Sequence, residues 1–223
     1  WKRNARRDLL PMKYDLICFD LDGTLTDSAA GVINSLLYVA QNTGVTRLPD
    51  NMMQLVGPPV KETFDKYFFD VPYEDCIRHY RDYFSTKGIT QNKLYPDVAQ
   101  TLKALHDSGV RSVIATSKPE VYSKIIAKDM GIDSYLKGVY GSSMDLSRIG
   151  KAAVLHYALQ EEQPQKAVLI GDRFYDADGA KANHVDFIGI TYGYGSREEL
   201  EATDAVAVLD SLPEVLDFIQ SNT

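Results

Sequence analysis

The sequence predicts an α/β fold: a doubly wound parallel sheet with an α-helical cap subdomain inserted near its start. Two observations predict the sheet and a third predicts the insertion. Short apolar runs recur along the chain, most of them ending in a polar residue. Helix-spaced segments fall between them, an alternation that calls for parallel strands covered by helices on both faces. From about Ala29 to Leu94 the alternation stops, and only helix-like stretches broken by turns remain.

Taken in order, "YDLICFD" from Tyr14 to Asp20 reads as a strand ending in acid. "VRSVIAT" (Val110 to Thr116), "KAVLIGD" (Lys166 to Asp172), "VDFIGIT" (Val185 to Thr191) and "DAVAVL" (Asp204 to Leu209) share its form. Helical spacing links Val98, Leu102 and Leu105 before Gly109, then Val121, Ile125 and Ile126 before Gly131, then Ala152, Leu155 and Leu159 after Lys151. Gly109 and Gly131 suit the left-handed position just past a helix end. In the insertion, "TGVTRLPD", "VGPP" and "VPYED" separate helical stretches, with Gly57, Pro58 and Pro59 the sharpest break. The resulting division is a leader or remnant at residues 1–11, a core domain over 12–28 and 95–223, and a helical cap over 29–94.

With 223 residues and 44% hydrophobic content, the chain can bury a core and carry an insertion. No uncharged apolar run reaches the length of a membrane span, and a soluble, cytoplasmic protein is expected, as a monomer or homodimer. Cys18 and Cys76 form neither a disulfide framework nor a zinc spacing. The opening "WKRNARRDLLP" is basic, so the rest of the chain is more acidic than the net charge of −7 implies. That balance excludes a nucleic-acid backbone as partner. A small phosphorylated metabolite remains, its charge met by cations within a site.

Ligands of a doubly wound sheet collect beyond the carboxyl ends of its strands. If the strands ending in Asp20, Thr116 and Asp172 are neighbours, two acids and a hydroxyl converge there. Asp20, Asp172 and the backbone carbonyl of Asp22 are hard oxygen ligands, few in number, which suits a magnesium ion that shares a phosphate oxygen. The Asp20 carboxylate can then attack phosphorus to give an aspartyl phosphate. Asp22 lies two positions along, on the same face, and Gly23 lets the chain turn away. It can protonate the leaving oxygen and then activate water. Thr116 would bond the phosphoryl group, Lys151 would supply the opposing cation, and Asp176 would orient that lysine or a metal-bound water.

Simpler readings compete with these. A calcium loop beginning at Asp20 fails, because its sixth position is Leu25 and its twelfth is Gly31. Arg173 and Asp176 would be explained equally well by an exposed ion pair. His79, His106, His156 and His184 show no ligand spacing. The cap aromatics Phe64, Tyr67, Phe68, Tyr80, Tyr83 and Phe84 read as a small inter-helix core before a nucleobase platform. Gly193, Tyr194 and Gly195 read as the close of a strand before a site rim.

The residues resemble the haloacid dehalogenase superfamily of magnesium-dependent phosphatases from Met12 onward. The resemblance lies in "DLDGTLTDS", in "VIATS" ending at Thr116 and Ser117, in Lys151 and in "GDRFYD". It implies a Rossmann-like core with an inserted helical cap. It also implies Asp20 as nucleophile, Asp22 as acid and base, and magnesium at Asp20, the Asp22 carbonyl and Asp172. "ATSKPE", "GSSMDLSRIGK", "GDRFYDADGA" and "TYGYGSREEL" are similar to the phosphoglycolate phosphatase and 5′-nucleotidase branch. Lys151 departs from the lysine-proline pair of many relatives, since Ala152 follows it; Lys118 and Arg148 are the alternative cations. Hydrolysis of phosphoglycolate or a nucleoside 5′-monophosphate is the leading expectation. A sugar-phosphate mutase and a non-catalytic phosphate-binding or regulatory module are the alternatives.

Overall fold

The computed structural model describes residues 13–221, so the leader expected at residues 1–11 lies outside the described residues. The first strand, β1 (Leu16–Phe19), has every side chain fully buried. It is the pattern of a parallel strand covered on both faces, where a continuous apolar run replaces alternation. Its neighbours are β4 (Arg111–Pro119) and β6 (Ala167–Gly171), each parallel to it, with Phe19 opposite Ile114 on one side and Ile170 on the other. Beyond them lie β5 (Gly138–Ser142) on the β4 edge, and β7 (Asp186–Ile190) then β8 (Ala207–Leu209) on the other. All of these pairings are parallel, in the order β5-β4-β1-β6-β7-β8.

Successive residues of a strand point to opposite faces, and the cores divide accordingly. Ile17, Phe19, Ile114 and Ile170 pack with α4 (Val98–Asp107), α5 (Glu120–Asp129) and α9 (Leu212–Ser221). Leu16, Cys18, Val113 and Leu169 pack with α6 (Lys151–Glu162), α7 (Phe174–Ala182) and α8 (Arg197–Glu201). Cys18 and Cys76 are both buried and free. Among the described residues no helix is long and apolar enough to cross a membrane.

Three details differ from the sequence expectations. Strand β5 was not expected: it lies at the sheet edge, its first three residues are only half-buried, and Gly138 and Gly141 interrupt its apolar pattern. Strand β4 runs past Thr116 to Pro119, with an irregularity in its pairing between those residues. In α5 only Ile126 of the three periodic residues is buried, beside Ser123 and Ala127, while Val121 and Ile125 face outward.

The segment of residues 29–92, inserted between β1 and α4, is helical: α1 (Ala29–Thr43), α2 (Val60–Tyr67) and α3 (Tyr73–Thr86), with single 3-10 turns at Met52–Leu55 and Gly88–Thr90. It has its own cluster of buried side chains, among them Leu36, Val39, Phe64, Phe68 and Cys76. Chain entry and exit form a two-stranded antiparallel ribbon, β2 (Thr26–Asp27) against β3 (Lys93–Leu94), pairing Thr26 with Leu94. The β3 strand falls within the stretch in which no strand was expected, because two residues carry no periodicity.

Candidate active site

Because β1, β4 and β6 are adjacent, their carboxyl ends share one crevice. Asp20 follows β1 directly, its N–H donating to the Ile170 carbonyl of β6 at 2.9 Å. Asp172 follows β6, and Thr116 lies near the end of β4. All three are buried, as are Lys151 and Asp176. One carboxylate oxygen each from Asp20, Asp172 and Asp176 lies within 4.8 Å of the others.

Lys151, the first residue of α6, points into this acid cluster. Its ammonium is 2.6 Å from Asp20 Oδ1 and 2.8 Å from Asp176 Oδ1, an ion pair with both. It also donates to the Ala115 carbonyl at 3.0 Å. Burial alone would lower the lysine's pKa; the carboxylates of Asp176 and Asp20 reverse that and raise it. Asp176 Oδ2 accepts from the Arg173 N–H at 3.1 Å, in the first turn of α7 where a negative charge is stabilised. The exposed ion-pair reading is therefore wrong for Asp176. It is nearer for Arg173, which pairs with Glu199 at 2.8 Å.

Burial of charge is the dominant cost here, and repulsion between the acids adds to it. Burial raises the Asp20 carboxyl to about 6 and Asp176 pushes in the same direction, against the pull of Lys151. Burial, then Asp176 and Asp20, raises Asp172 well above the usual carboxylate range. Three acids thus face one ammonium, an imbalance that a hard divalent cation would correct.

The backbone is shaped to this cluster. Gly23 has φ +87, and a Cβ there would lie 2.2 Å from Asp172 Oδ2, so only glycine fits. Thr24 Oγ1 donates to Asp172 Oδ1 at 3.4 Å. The carboxylate of Asp22 pairs through Oδ2 with Lys118 at 2.7 Å, while its buried Oδ1 has no hydrogen-bond partner. Lys118 sits on the irregular end of β4, its N–H donating to Thr116 Oγ1 at 3.3 Å and its ammonium 4.6 Å from the Phe84 ring centre on α3. Ser117 is half-buried, and its carbonyl accepts from Ser142 Oγ at 2.8 Å. Of the alternative cations, Lys118 belongs to Asp22. Arg148 is committed elsewhere, pairing with Glu120 at 2.7 Å and donating to the Gly141 carbonyl at 2.8 Å.

Residues 17–190 match the haloacid dehalogenase-like hydrolase family. The chain belongs to that family. The hydrolase is 35% identical to a 5′-nucleotidase of Pseudomonas aeruginosa, over 92% of this chain and 97% of that one. It is also 35% identical to the tyrosine-protein kinase PtkA of Mycobacterium tuberculosis, over 90% of this chain and 72% of the relative. The crystal structure of a predicted phosphatase from Clostridium acetobutylicum superposes with a TM-score of 0.87 at 37% identity, covering 93% of this chain and 99% of that one. The fold and relatives of the hydrolase are those of a phosphoric monoester hydrolase.

Sequence reasoning missed two parts of the site. Tyr194 donates its backbone N–H to Asp172 Oδ2 at 2.6 Å, so Gly193, Tyr194 and Gly195 border the acid cluster and do more than close a strand. Arg173 Nη1 donates to the Val56 carbonyl at 3.2 Å and Tyr175 to Glu62 Oε2 at 2.8 Å, so the segment after Asp172 also grips the helical insertion. The repeated glycines of "TYGYG" and the tight turn at Gly57 were the available signals. A Cβ at Gly57 would lie 2.6 Å from Arg173 Nη1.

Proposed function

We propose that the enzyme hydrolyses a small phosphomonoester, a nucleoside 5′-monophosphate or phosphoglycolate, with magnesium and through an aspartyl phosphate on Asp20. The observation that carries this reading is the convergence of Asp20, Asp172 and Asp176 on one another around Lys151. Asp20, Asp172 and the backbone carbonyl of Asp22 would hold the ion, and Asp176 stands beside them. The donor set fits: it is all oxygen, buried, and negatively charged beyond what Lys151 balances. When bound, magnesium supplies positive charge that offsets repulsion between the carboxylates and the phosphate and polarises a phosphoryl oxygen.

The chain's own residues then divide the work. An Asp20 oxygen attacks phosphorus as the ester P–O bond breaks, and Asp22 gives its proton to the departing oxygen. Asp22 next takes a proton from water, whose oxygen attacks the same phosphorus. The bond between phosphorus and Asp20 breaks, freeing inorganic phosphate and restoring the carboxylate. Thr116 donates a hydrogen bond to the phosphoryl group, and Lys151 balances its charge while Asp176 holds the ammonium in place. Lys118 fixes the orientation of the Asp22 carboxylate. Residues 29–94 act as the cap, held over the crevice through Val56 and Glu62 and excluding bulk water. Phe64 and Phe68 belong to the cap's own core; Tyr80 packs against both that core and the main one, and stacks 5.9 Å from Phe84, which belongs to the main core.

Phosphate release from p-nitrophenyl phosphate tests this reading: turnover should require magnesium and stop with a chelator. Turnover unaffected by chelation would refute it. A panel of phosphate esters then orders the substrates. Incubation with a nucleoside triphosphate and a tyrosine peptide separates hydrolysis from the transfer named for the mycobacterial relative; free phosphate without phosphotyrosine is expected.

A further inference from the structure

We propose that Tyr194 is a positioning residue that ties Asp172 to the hinge of the helical cap, so that filling the metal site steadies the hinge. The inference rests on the metal-site reading above. One residue touches both ends of the link. At its backbone, the Tyr194 N–H donates to Asp172 Oδ2 at 2.6 Å. At its far end, the hydroxyl accepts from the Ser28 N–H at 2.8 Å and donates to Asp27 Oδ1 at 3.1 Å.

Those two partners are the hinge itself. Asp27 lies in β2, the strand leading into the cap, and Ser28 immediately precedes α1. The other oxygen of Asp27 is 3.2 Å from the ammonium of Lys93, in β3, the strand leading back. A single carboxylate therefore joins both hinge strands, and Tyr194 holds it. The neighbouring residues brace this contact: Tyr192 donates to the Thr24 carbonyl at 2.8 Å, and its ring lies 4.9 Å from that of Tyr95, just after β3.

The fit is close enough to transmit small displacements. A Cβ on Gly193 would lie 2.4 Å from both Asp172 Oδ2 and the Gly23 carbonyl, and one on Gly195 would lie 2.0 Å from the Asp172 carbonyl. The loop cannot move away from Asp172 and keep its bond, nor move closer with any larger residue in place. A ring that only filled space would need no hydroxyl. Here the hydroxyl uses both its lone pair and its proton on the two residues that immediately precede the cap.

Hydrogen exchange at the Ser28 amide, with and without magnesium, tests the link, with magnesium binding measured in parallel by calorimetry. In the wild type, magnesium should slow exchange at Ser28 several-fold. Tyr194→Phe keeps the backbone N–H on Asp172, so magnesium should still bind. The Ser28 amide, having lost its acceptor, should exchange about tenfold faster and no longer respond to the ion. A Tyr194→Phe hinge that exchanges and responds like the wild type overturns the proposal. So does magnesium that binds the wild type without slowing Ser28, and that arm needs no variant to fold. Magnesium that fails to bind the wild type overturns this proposal and the metal-site reading together.

Discussion

Replacing Asp20 by asparagine should change how the metal-free protein responds to pH. The carboxyl is raised from the ordinary 3.8 to about 6, chiefly by burial. Because the folded value is the higher one, the fold favours the protonated acid. Below about pH 4 both folded and unfolded chains hold the proton and the group contributes no pH-dependent penalty. Between the two values the unfolded chain gives up its proton first and the fold loses stability. Above about pH 7, past the folded value, the loss is complete, at about 3 kcal/mol. Asparagine has no charge to lose. The stability of Asp20→Asn relative to wild type should therefore rise by about 3 kcal/mol between about pH 4 and pH 7.5, or roughly 6–12 °C in Tm for a chain of this size. The pull of Lys151 on the Asp20 carboxylate already enters that folded value, so the slope with pH is the readout. Urea unfolding followed by circular dichroism in a chelator, across that pH range, measures it. Parallel pH dependence in the two proteins would refute the electrostatic account of the site.

Lys151→Met should leave Asp20 and Asp176 without their shared cation, costing about 3–5 kcal/mol in denaturant unfolding and abolishing measurable turnover; wild-type stability would count against the pairing. Gly23→Ala places a methyl group 2.2 Å from Asp172 Oδ2 at a φ of +87. Its phosphatase activity should fall on the order of 100-fold, and its magnesium affinity should weaken with it. Lys118→Met should release the Asp22 carboxylate and lower kcat about 10- to 100-fold with little change in KM; a change confined to KM would assign Lys118 to substrate binding.

The features legible in the sequence were those carried by local pattern. Strands buried on both faces need continuous apolar runs, and such runs must stop where the chain reaches the ligand edge, so Asp20, Thr116 and Asp172 marked themselves. Lys151 was legible because it begins a helix after a glycine turn. What stayed hidden depended on contacts across long separations. The contact of Asp176 with Lys151 was expected from its place four residues past Asp172, but its near-complete burial was not, since an exposed ion pair explained the same residue equally well. Lys118 reaches Asp22 because β4 is irregular after Thr116, a detail that apolar periodicity does not encode. Tyr194 meets Asp172 and Ser28 only once the sheet is assembled, and β5, half-buried at an edge and broken by glycines, offered neither a continuous run nor an alternation.

Trapping the phosphorylated enzyme tests the central claim most directly. After rapid acid quench during turnover, borohydride reduction should convert Asp20, and no other carboxylate, to homoserine in the digested peptides. Asp20→Asn should give no such product. Phosphate release without reducible phosphoryl-enzyme at Asp20, or with the label on another residue, would contradict the account.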